Sequence, residues 1–198
     1  MSGETPEPRP PLPLTEEELR ARTIGELRPL SEPIRIVESD PRWPEQFQCE
    51  AERIAGALGS RALRIEHTGS TSVPGLAAKP ILDMLLVVAD SGDEAAYAPA
   101  LEGIGYTLRI REAEWHEHRM FRGNDPDSHL HVFSASCPEI DRILLFRDWL
   151  RRNAADRELY EQTKRHLASE KWTYQQNYAD AKTAVVEEIL GRARLHLK

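Results

Sequence analysis

Cysteine is nearly absent from this chain of 198 residues. Its two cysteines, Cys49 and Cys137, lie far apart, and neither belongs to a CxxC pair. This spacing excludes a disulfide framework and gives no zinc signature. Neither cysteine resembles an activated thiol, since Cys49 lies in a helical pattern without a paired basic motif and Cys137 directly precedes Pro138.

Long apolar runs and an excess of positive charge are also missing. No stretch approaches the roughly 18–20 apolar residues of a membrane span, and the first ten residues lack the apolar segment of a secretory signal. Lysine and arginine number 26 against 33 acidic residues, so the formal net charge is −7. General binding to nucleic acids or membranes needs basic patches, so we expect neither kind of binding. Because both a membrane span and a secretory signal are missing, we expect a cytoplasmic protein.

Two common catalytic motifs are absent as well. The chain contains no GxSxG sequence, so nothing supports a hydrolase nucleophile elbow. It also contains no GxxxxGK[ST] sequence, which excludes a kinase of the P-loop type. A nucleotide site of another kind is still compatible with the sequence, because an acidic protein can bind phosphate locally.

The organisation along the chain predicts a flexible tail followed by one folded domain. Residues 1–13 hold five prolines and almost no apolar side chain, which is typical of an extended, disordered segment. Thr15 followed by three glutamates predicts a short helix that ends near Gly25. We therefore assign residues 1–30 to a proline-rich tail and residues 31–198 to one domain, in agreement with the chain length.

Apolar periodicity within the domain predicts strands first and helices last. The predicted strands are 34–37, 63–67, 81–88, 106–111, 119–122 and 130–133, and the predicted helices are 41–58, 93–103, 139–153, 156–170 and 173–190. This order favours an α/β or α+β sheet with a helical C-terminal half packed on it. In the first C-terminal helix, Arg147 and Asp148 are expected to form ion pairs that hold the helix against the sheet.

The segment with the strongest chemical pattern is 65–88, IEHTGSTSVPGLAAKPILDMLLVV. It joins a strand, a Gly-Ser turn, a lysine, and an aspartate that opens a second strand. The small residues of the turn let backbone N–H groups approach a phosphate, and a carboxylate on the next strand can hold the metal that phosphates carry. The pattern therefore indicates a nucleotide site around Gly69, Ser70 and Asp83.

This segment resembles the signature of the GrpB-like family, a branch of the nucleotidyltransferase superfamily. Further segments agree in order: ESDPRWP at 38–44, HLHV at 129–132, FRDWLR at 146–151, and the pairs Tyr160/Lys164 and Tyr178/Lys182. The resemblance covers roughly residues 34–190. It implies a nucleotidyltransferase-like mixed β-sheet flanked by helices, with a helical C-terminal part.

The resemblance implies a metal site, but this sequence lacks some of the carboxylates that form it in the superfamily. The superfamily pattern is a Gly-Ser turn, then Asp-x-Asp/Glu on the following strand, then a third carboxylate, which together hold two Mg²⁺ ions. Asp83 matches the first carboxylate, but Leu85 stands at the second position. The strand expected to carry the third carboxylate contains His129 and His131 instead. These two residues are two positions apart, so they point to the same face of the sheet.

Candidate roles follow from this comparison. Asp83 is the predicted ligand of Mg²⁺, and His131 is predicted to aid metal or proton handling, with Glu112, Glu114 or Glu117 as further candidates. The predicted nucleotide and phosphate contacts are Gly69, Ser70, Thr71, Ser72, Lys79, Arg119 and Lys182. Thr71 and Ser72 are equally explained as groups that satisfy turn amides, and His67 as a histidine of the core.

The sequence leaves three functions open. The first is a nucleotidyltransferase with a rebuilt metal site, whose partners are a nucleotide and an unidentified small acceptor. The second is a non-catalytic nucleotide-binding or sensing module that keeps the turn and has lost transfer chemistry. The third is a protein-interaction domain with a degenerate site. The oligomeric state is not indicated by any pattern.

Overall fold

The computed structural model describes residues 13–196. The expected extended tail therefore lies outside the described residues, except for Pro13. The described part contains seven α-helices: α1 Glu16–Arg22, α2 Trp43–Leu58, α3 Glu94–Gly103, α4 Pro138–Arg152, α5 Ala154–Ala168, α6 Gln175–Ala181 and α7 Thr183–Leu195. It also contains five strands: β1 Arg64–Thr68, β2 Leu82–Val88, β3 Thr107–Glu112, β4 His118–Asn124 and β5 Asp127–Ser134.

The five strands form one mixed sheet in the order β1-β2-β5-β4-β3. Strands β2 and β5 are parallel, and the other neighbours are antiparallel. The chain passes from β2 to β5 through α3 and the β3–β4 hairpin, which supplies the long crossover that a parallel pair needs. The register pairs Asp83 with His129 and Leu85 with His131. The prediction of a mixed sheet flanked by helices is confirmed.

One face of the sheet packs against α2 and α3. Met84 and Leu86 of β2 share an apolar cluster with Ile54 and Leu58 of α2 and with Phe121 of β4. Gly59, with φ of 57°, ends α2 as its sequence position predicts. This cluster forms the main core and fixes the sheet against the first helical layer.

The opposite face packs against the C-terminal helices over only part of its length. Leu85, Val87 and Phe133 form a cluster with Ile140 and Leu144 of α4. Because strand side chains alternate, residues 83, 85 and 87 share this face. The apolar packing covers the end of β2 that holds residues 85–87, so the end at residue 83 is left for polar side chains.

An ion pair fastens α4 to the edge of the sheet. Arg147 of α4 lies 2.6 Å from Glu66 of β1 and 2.8 Å from Asp148, and it also donates to the His67 carbonyl at 3.0 Å. The predicted role of this arginine in holding the helix against the sheet is confirmed.

Residues 13–32, which include α1 and precede α2, are here called the N-terminal strap. Thr15 caps α1 in a reciprocal capping box with Glu18, so the predicted helix start is confirmed, and the helix ends at Arg22. Leu19 is buried in a cluster with Leu14 and Tyr174. The boundary drawn at residue 30 stays a prediction.

Backbone hydrogen bonds tie the strap to two separate elements. The Ile24 N–H donates to the Arg109 carbonyl of β3 at 2.8 Å, and the Leu30 N–H donates to the Thr173 carbonyl before α6 at 2.8 Å. The strap therefore reaches from the sheet edge to the C-terminal helices.

Two expected elements differ in the structure. The strand predicted at 34–37 is wrong, since this segment makes only a single bridge, between Val37 and Ala78. Its apolar residue Val37 packs with Trp43, Ala78 and Leu82, so the loop before β2, and not a neighbouring strand, covers it. The helix predicted at 173–190 is divided into α6 and α7 at Lys182, which has near-helical angles, with φ of −81° and ψ of −10°.

Among residues 13–196, no helix combines the length and the apolar character that a membrane crossing requires.

Candidate functional site

The Gly-Ser turn lies directly against Asp83. Strand β1 ends at Thr68, which pairs with Asp83 of β2, and residues 70–72 then form one turn of 3-10 helix. Gly69 has φ of 63° and ψ of −169°, a conformation that is essentially restricted to glycine. A Cβ at this position would lie 2.7 Å from the Asp83 Cβ. Only glycine therefore brings the turn this close to the carboxylate.

A buried lysine lies beneath the turn. Lys164 of α5 is 2% exposed, and its Nζ donates to the Ser70 hydroxyl at 2.9 Å and to the Ala77 carbonyl. Burial, with a smaller contribution from the nearby charge of Lys182, lowers the pKa of Lys164 to about 7. This amine is thus balanced between its charged and neutral forms near physiological pH.

Two further lysines line the same cavity. The Lys79 Nζ donates to the Gln175 side-chain carbonyl at 2.6 Å, and burial lowers the pKa of Lys79. The Lys182 Nζ lies 4.8 Å from the centre of the Tyr178 ring, a cation–π arrangement. With Lys164 they place three amines around one cavity in a chain whose net charge is −7.

Asp83, His129 and His131 form a group of metal-ligand type. One ligand atom from each lies within 4.8 Å of the others, and the His129 Nδ1 is 3.4 Å from the Asp83 Oδ1. The sheet register explains the group, because His129 lies opposite Asp83 on the parallel neighbour and His131 follows two residues later on the same face.

Ionisation within this group follows from burial and from the neighbours. Burial raises the pKa of the Asp83 carboxyl, but the hydrogen bond from His129 and neighbouring positive charges outweigh it, so the pKa is lowered overall. Burial lowers the pKa of His131 to about 3. Asp83 is therefore an anion and His131 a neutral imidazole at physiological pH.

A chain of hydrogen bonds runs behind His131. Its Nδ1 lies 3.0 Å from the His118 Nε2, and the His118 Nδ1 lies 2.7 Å from the Glu112 Oε2. Arg22 of the strap holds the other Glu112 oxygen at 3.0 Å. The His131 ring is therefore fixed from behind.

These groups share a cavity of about 770 Å³. It lies between the polar end of the sheet face, the C-terminal helices and the N-terminal strap. A volume of 300–1,000 Å³ is typical of small-molecule sites. The cavity is thus large enough for a ligand of nucleotide size.

Most of the predicted contact residues come together here. Gly69, Ser70, Thr71, Lys79, Asp83, His131 and Lys182 all line the cavity. Ser72 does not, since its hydroxyl donates to the Gly69 carbonyl at 2.6 Å and stabilises the turn from within. The Thr71 hydroxyl lies 3.0 Å from the His67 Nε2, and burial lowers the pKa of His67 to about 4, as expected for a neutral core histidine.

Arg119 is not brought to the cavity. Side chains of β4 alternate, so Arg119 points to the α3 face, where it is buried and forms an ion pair with Glu94. The neighbouring Arg122 lines the cavity in its place, with its guanidinium half exposed and paired to Asp127 at 3.1 Å. Of the three candidate glutamates, only Glu112 lines the cavity among the described residues.

Sequence reasoning missed two parts of the site. The only signal for Lys164 in the sequence is the Tyr160-x-x-x-Lys164 pair, which does not by itself indicate a contact with the turn. The chain from Glu112 through His118 to His131 links strands β3, β4 and β5, and no local pattern shows it.

The sheet topology and the turn against an aspartate define a nucleotidyltransferase-like fold. A crystal structure of the Cid1 poly(U) polymerase with Mg 3′-dATP bound has a TM-score of 0.50 and 13% identity, covering 67% of this chain and 43% of that chain. This likeness concerns the fold alone. The family model described as GrpB protein matches residues 33–192, and the chain belongs to the GrpB family.

Relatives cover nearly the whole chain. The UPF0157 protein BH1888 of Halalkalibacterium halodurans is 58% identical over 181 residues, which is 91% of this chain and 93% of that protein. The crystal structure of the conserved protein GrpB from Enterococcus faecalis has a TM-score of 0.73 and 33% identity, covering 83% of this chain and all of that chain.

Proposed function

We propose that this protein binds a nucleotide in the 770 Å³ cavity, with the phosphates at the Gly69–Ser70 turn and a divalent cation at Asp83. One observation carries the proposal: a glycine turn, an ionised carboxylate and a buried lysine meet at a single point. The small side chains of the turn give phosphate oxygens access to the backbone, and the lysine supplies the opposite charge.

The lysines favour an anionic ligand. Within residues 13–196, Lys164 forms no ion pair at salt-bridge distance, and burial lowers its pKa in spite of the smaller opposing effects of Glu161 and Asp83. A phosphate next to the Ser70 hydroxyl would supply the missing negative charge and hold this amine in its charged form. Lys79 and Lys182 line the same cavity and would compensate the remaining charge of a triphosphate.

Mg²⁺ is the cation predicted from the sequence, and Asp83 is its oxygen ligand. Among the three residues of the metal group, only Asp83 offers an oxygen atom. Mg²⁺ is usually bound through one or two carboxylates together with the phosphates of the substrate, so a single aspartate is compatible with Mg²⁺ that arrives on a nucleotide. The two imidazoles fit this ion poorly.

Transfer chemistry is the further part of the proposal. In nucleotidyl transfer, an oxygen of a small acceptor bonds to the α-phosphorus, the bond to pyrophosphate breaks, and the acceptor proton leaves to a base or to water. His131 was predicted to assist, but a pKa of about 3 makes it a weak base at neutral pH. Its neutral imidazole suits metal ligation better.

A second candidate function is binding without transfer. Leu85 stands where the superfamily has its second carboxylate, and it is fully buried in the apolar cluster beneath α4. The two-metal arrangement of carboxylates therefore cannot form here, which favours a nucleotide-binding or sensing module. The protein-interaction alternative and the cytoplasmic location stay predictions from the sequence.

Thermal shift tests the binding proposal. The four ribonucleoside triphosphates are compared with and without Mg²⁺ on the wild type, on Asp83→Asn and on Lys164→Met, with Lys171→Met as the control because Lys171 is exposed. A ligand at 100 times its Kd stabilises by about 2.7 kcal/mol, so at least one nucleotide should raise the wild-type Tm and lose this effect in both site variants.

The proposal is wrong if no nucleotide shifts the wild type, or if both site variants respond as the control does. For a nucleotide that does bind, release of pyrophosphate with candidate acceptors separates a transferase from a binding module.

A further inference from the structure

We propose that Asp83, His129 and His131 form a site for a first-row transition-metal dication of the Zn²⁺ or Fe²⁺ class, and not primarily for Mg²⁺. The inference deepens the proposed function by naming the cation of the same cavity, and it rests on that function only for the role of the ion. It is carried by the donor atoms and by the hydrogen bonds behind them.

The donor set matches this class of ion. Imidazole nitrogen suits zinc, iron, copper and nickel, whereas Mg²⁺ prefers six oxygen atoms. Two histidines and one carboxylate are a ligand set of zinc hydrolases and of non-haem iron enzymes, in both of which open positions remain for water or substrate. The three residues line the cavity, so the open positions of a bound ion would face the space proposed for the ligand.

The distances between the three ligand atoms are close to those found around a single bound ion. Two ligands at about 2.1 Å from one ion stand at most about 4.2 Å apart. The three ligand atoms already lie within 4.8 Å of one another, and His129 Nδ1 is 3.4 Å from Asp83 Oδ1. Asp83 and His129 lie opposite each other on the paired strands β2 and β5, so rotation of these two side chains can close the set while His131 and the sheet stay in place.

The hydrogen bonds behind His131 select the nitrogen that a metal needs. With neutral rings, Glu112 accepts the Nδ1–H of His118, which leaves the His118 Nε2 as an acceptor. That nitrogen accepts the Nδ1–H of His131, so the lone pair of His131 is placed on Nε2, its remaining nitrogen. Metal-binding histidines are oriented in this way, by donating their other N–H to a fixed acceptor.

Nucleotide binding through the turn and the lysines gives no reason for the chain from Glu112 to His131. A resident metal explains why a carboxylate and a second imidazole hold this ring.

The test uses the full-length protein after metal removal. Calorimetry follows titration with Zn²⁺ or with Mg²⁺ alone, and visible absorption follows Co²⁺, whose bands report nitrogen ligation. We expect one Zn²⁺ per chain, bound at least about 100-fold more tightly than Mg²⁺. Asp83→Asn and His129→Gln should each weaken Zn²⁺ binding by at least about tenfold.

Two controls separate the site from surface binding. His166→Gln removes an exposed histidine and Cys49→Ser an exposed thiol. Neither belongs to the metal group or lines the cavity, so each variant should keep its Zn²⁺ affinity within about twofold of the wild type.

The chain behind His131 has its own matched pair of variants. Glu112→Gln should weaken Zn²⁺ binding by about 10–100-fold. Glu114→Gln is the matched control: Glu114 is exposed on the same hairpin and does not line the cavity, so the Zn²⁺ affinity of this variant should stay within about twofold of the wild type. Melting curves without metal identify any variant that fails to fold.

The inference is overturned if the wild type binds Mg²⁺ as tightly as Zn²⁺, or if Zn²⁺ binding survives in both Asp83→Asn and His129→Gln. Nucleotide binding without a Zn²⁺ site would support the proposed function and contradict this inference. A Zn²⁺ site without any nucleotide response would support this inference and contradict the proposed function.

Discussion

The two faces of the sheet have different roles, although adjacent residues of the same strands supply them. In β2, Met84 and Leu86 point to the core against α2, whereas Asp83 points to the cavity. In β5, Leu130 lies in the same core and its neighbour His131 in the metal group. Side-chain alternation thus places the residues that stabilise the fold and those of the site next to each other in sequence.

The comparison teaches that stability and ligand binding should be separable by substitutions one residue apart. The core face gains free energy from apolar burial. The cavity face holds an ionised carboxylate and lysines whose burial costs free energy unless they are paired. The cavity face therefore carries groups whose presence a ligand explains better than folding does.

The largest effect is expected on the core face. Leu86 is fully buried, so Leu86→Ala should lower the free energy of unfolding by about 2–5 kcal/mol. The folded fraction should bind Zn²⁺ as the wild type does, while Asp83→Asn shows the reverse pattern. Urea unfolding and calorimetry measure the two quantities. Loss of Zn²⁺ binding by the folded Leu86→Ala variant would contradict the conclusion that stability and metal binding depend on different faces.

The next effect concerns the pH dependence of stability on the cavity side. The folded pKa of Lys164 is about 7, against a usual 10.5. Between about pH 7 and 10 the unfolded chain holds this proton and the folded chain does not, so stability rises with pH across this window. Lys164→Met should remove a few kcal/mol of that rise.

Urea unfolding at several pH values measures this difference. Lys171→Met, which changes an exposed lysine, should follow the wild-type curve. Parallel curves for the wild type and Lys164→Met would show that the folded lysine keeps its ordinary pKa.

A smaller effect is expected at the turn. Gly69→Ala should cost about 1–3 kcal/mol, because alanine is strained at this backbone conformation, and its Cβ would push Asp83 aside. Gly75→Ala is the matched control: Gly75 also has positive φ, at 76°, but a Cβ there meets no atom within 4 Å. Both should lose stability in denaturant unfolding, and only Gly69→Ala should lose Zn²⁺ affinity. Equal Zn²⁺ affinity in the two variants would contradict the role of the turn.

The smallest effect distinguishes two arginines of β4. Arg122→Met should weaken binding of a responding nucleotide by no more than about fivefold, since exposed ion pairs contribute about 0.2–1 kcal/mol. Arg119→Met should leave nucleotide affinity unchanged and cost about 1–3 kcal/mol of stability, because its pair with Glu94 is on the other face. A nucleotide defect in Arg119→Met alone would reverse the assignment of the faces.

Much of the fold could be predicted because its signals are local. Gly59 ends α2, Thr15 begins α1, and the apolar run after Asp83 forms β2. The segment at 34–37 has the alternation of a strand, but its apolar side is covered by a loop, which only tertiary packing decides.

The part of the site that the Gly-Ser turn forms could be predicted from the sequence. The part that depends on the register between strands could not. Gly69, Ser70 and Asp83 lie within one strand–turn–strand unit, so sequence alone groups them. Arg119 was misplaced because the face of a short strand shifts with a register change of one residue. Lys164 reaches Ser70 across 94 positions of sequence, and no local pattern predicts such a contact.

The strap has a consequence for the timing of ligand exchange. The family match begins at residue 33, so the strap precedes it, yet Leu14, Arg22 and Leu27 form part of the cavity wall. A molecule that entered or left on that side would have to pass the strap, which the hydrogen bonds at Ile24 and Leu30 hold in place. The residence time of the proposed ligand, and not only its affinity, would then depend in part on residues 13–32, and a chain cut at residue 33 should exchange that ligand faster while keeping every member of the metal group.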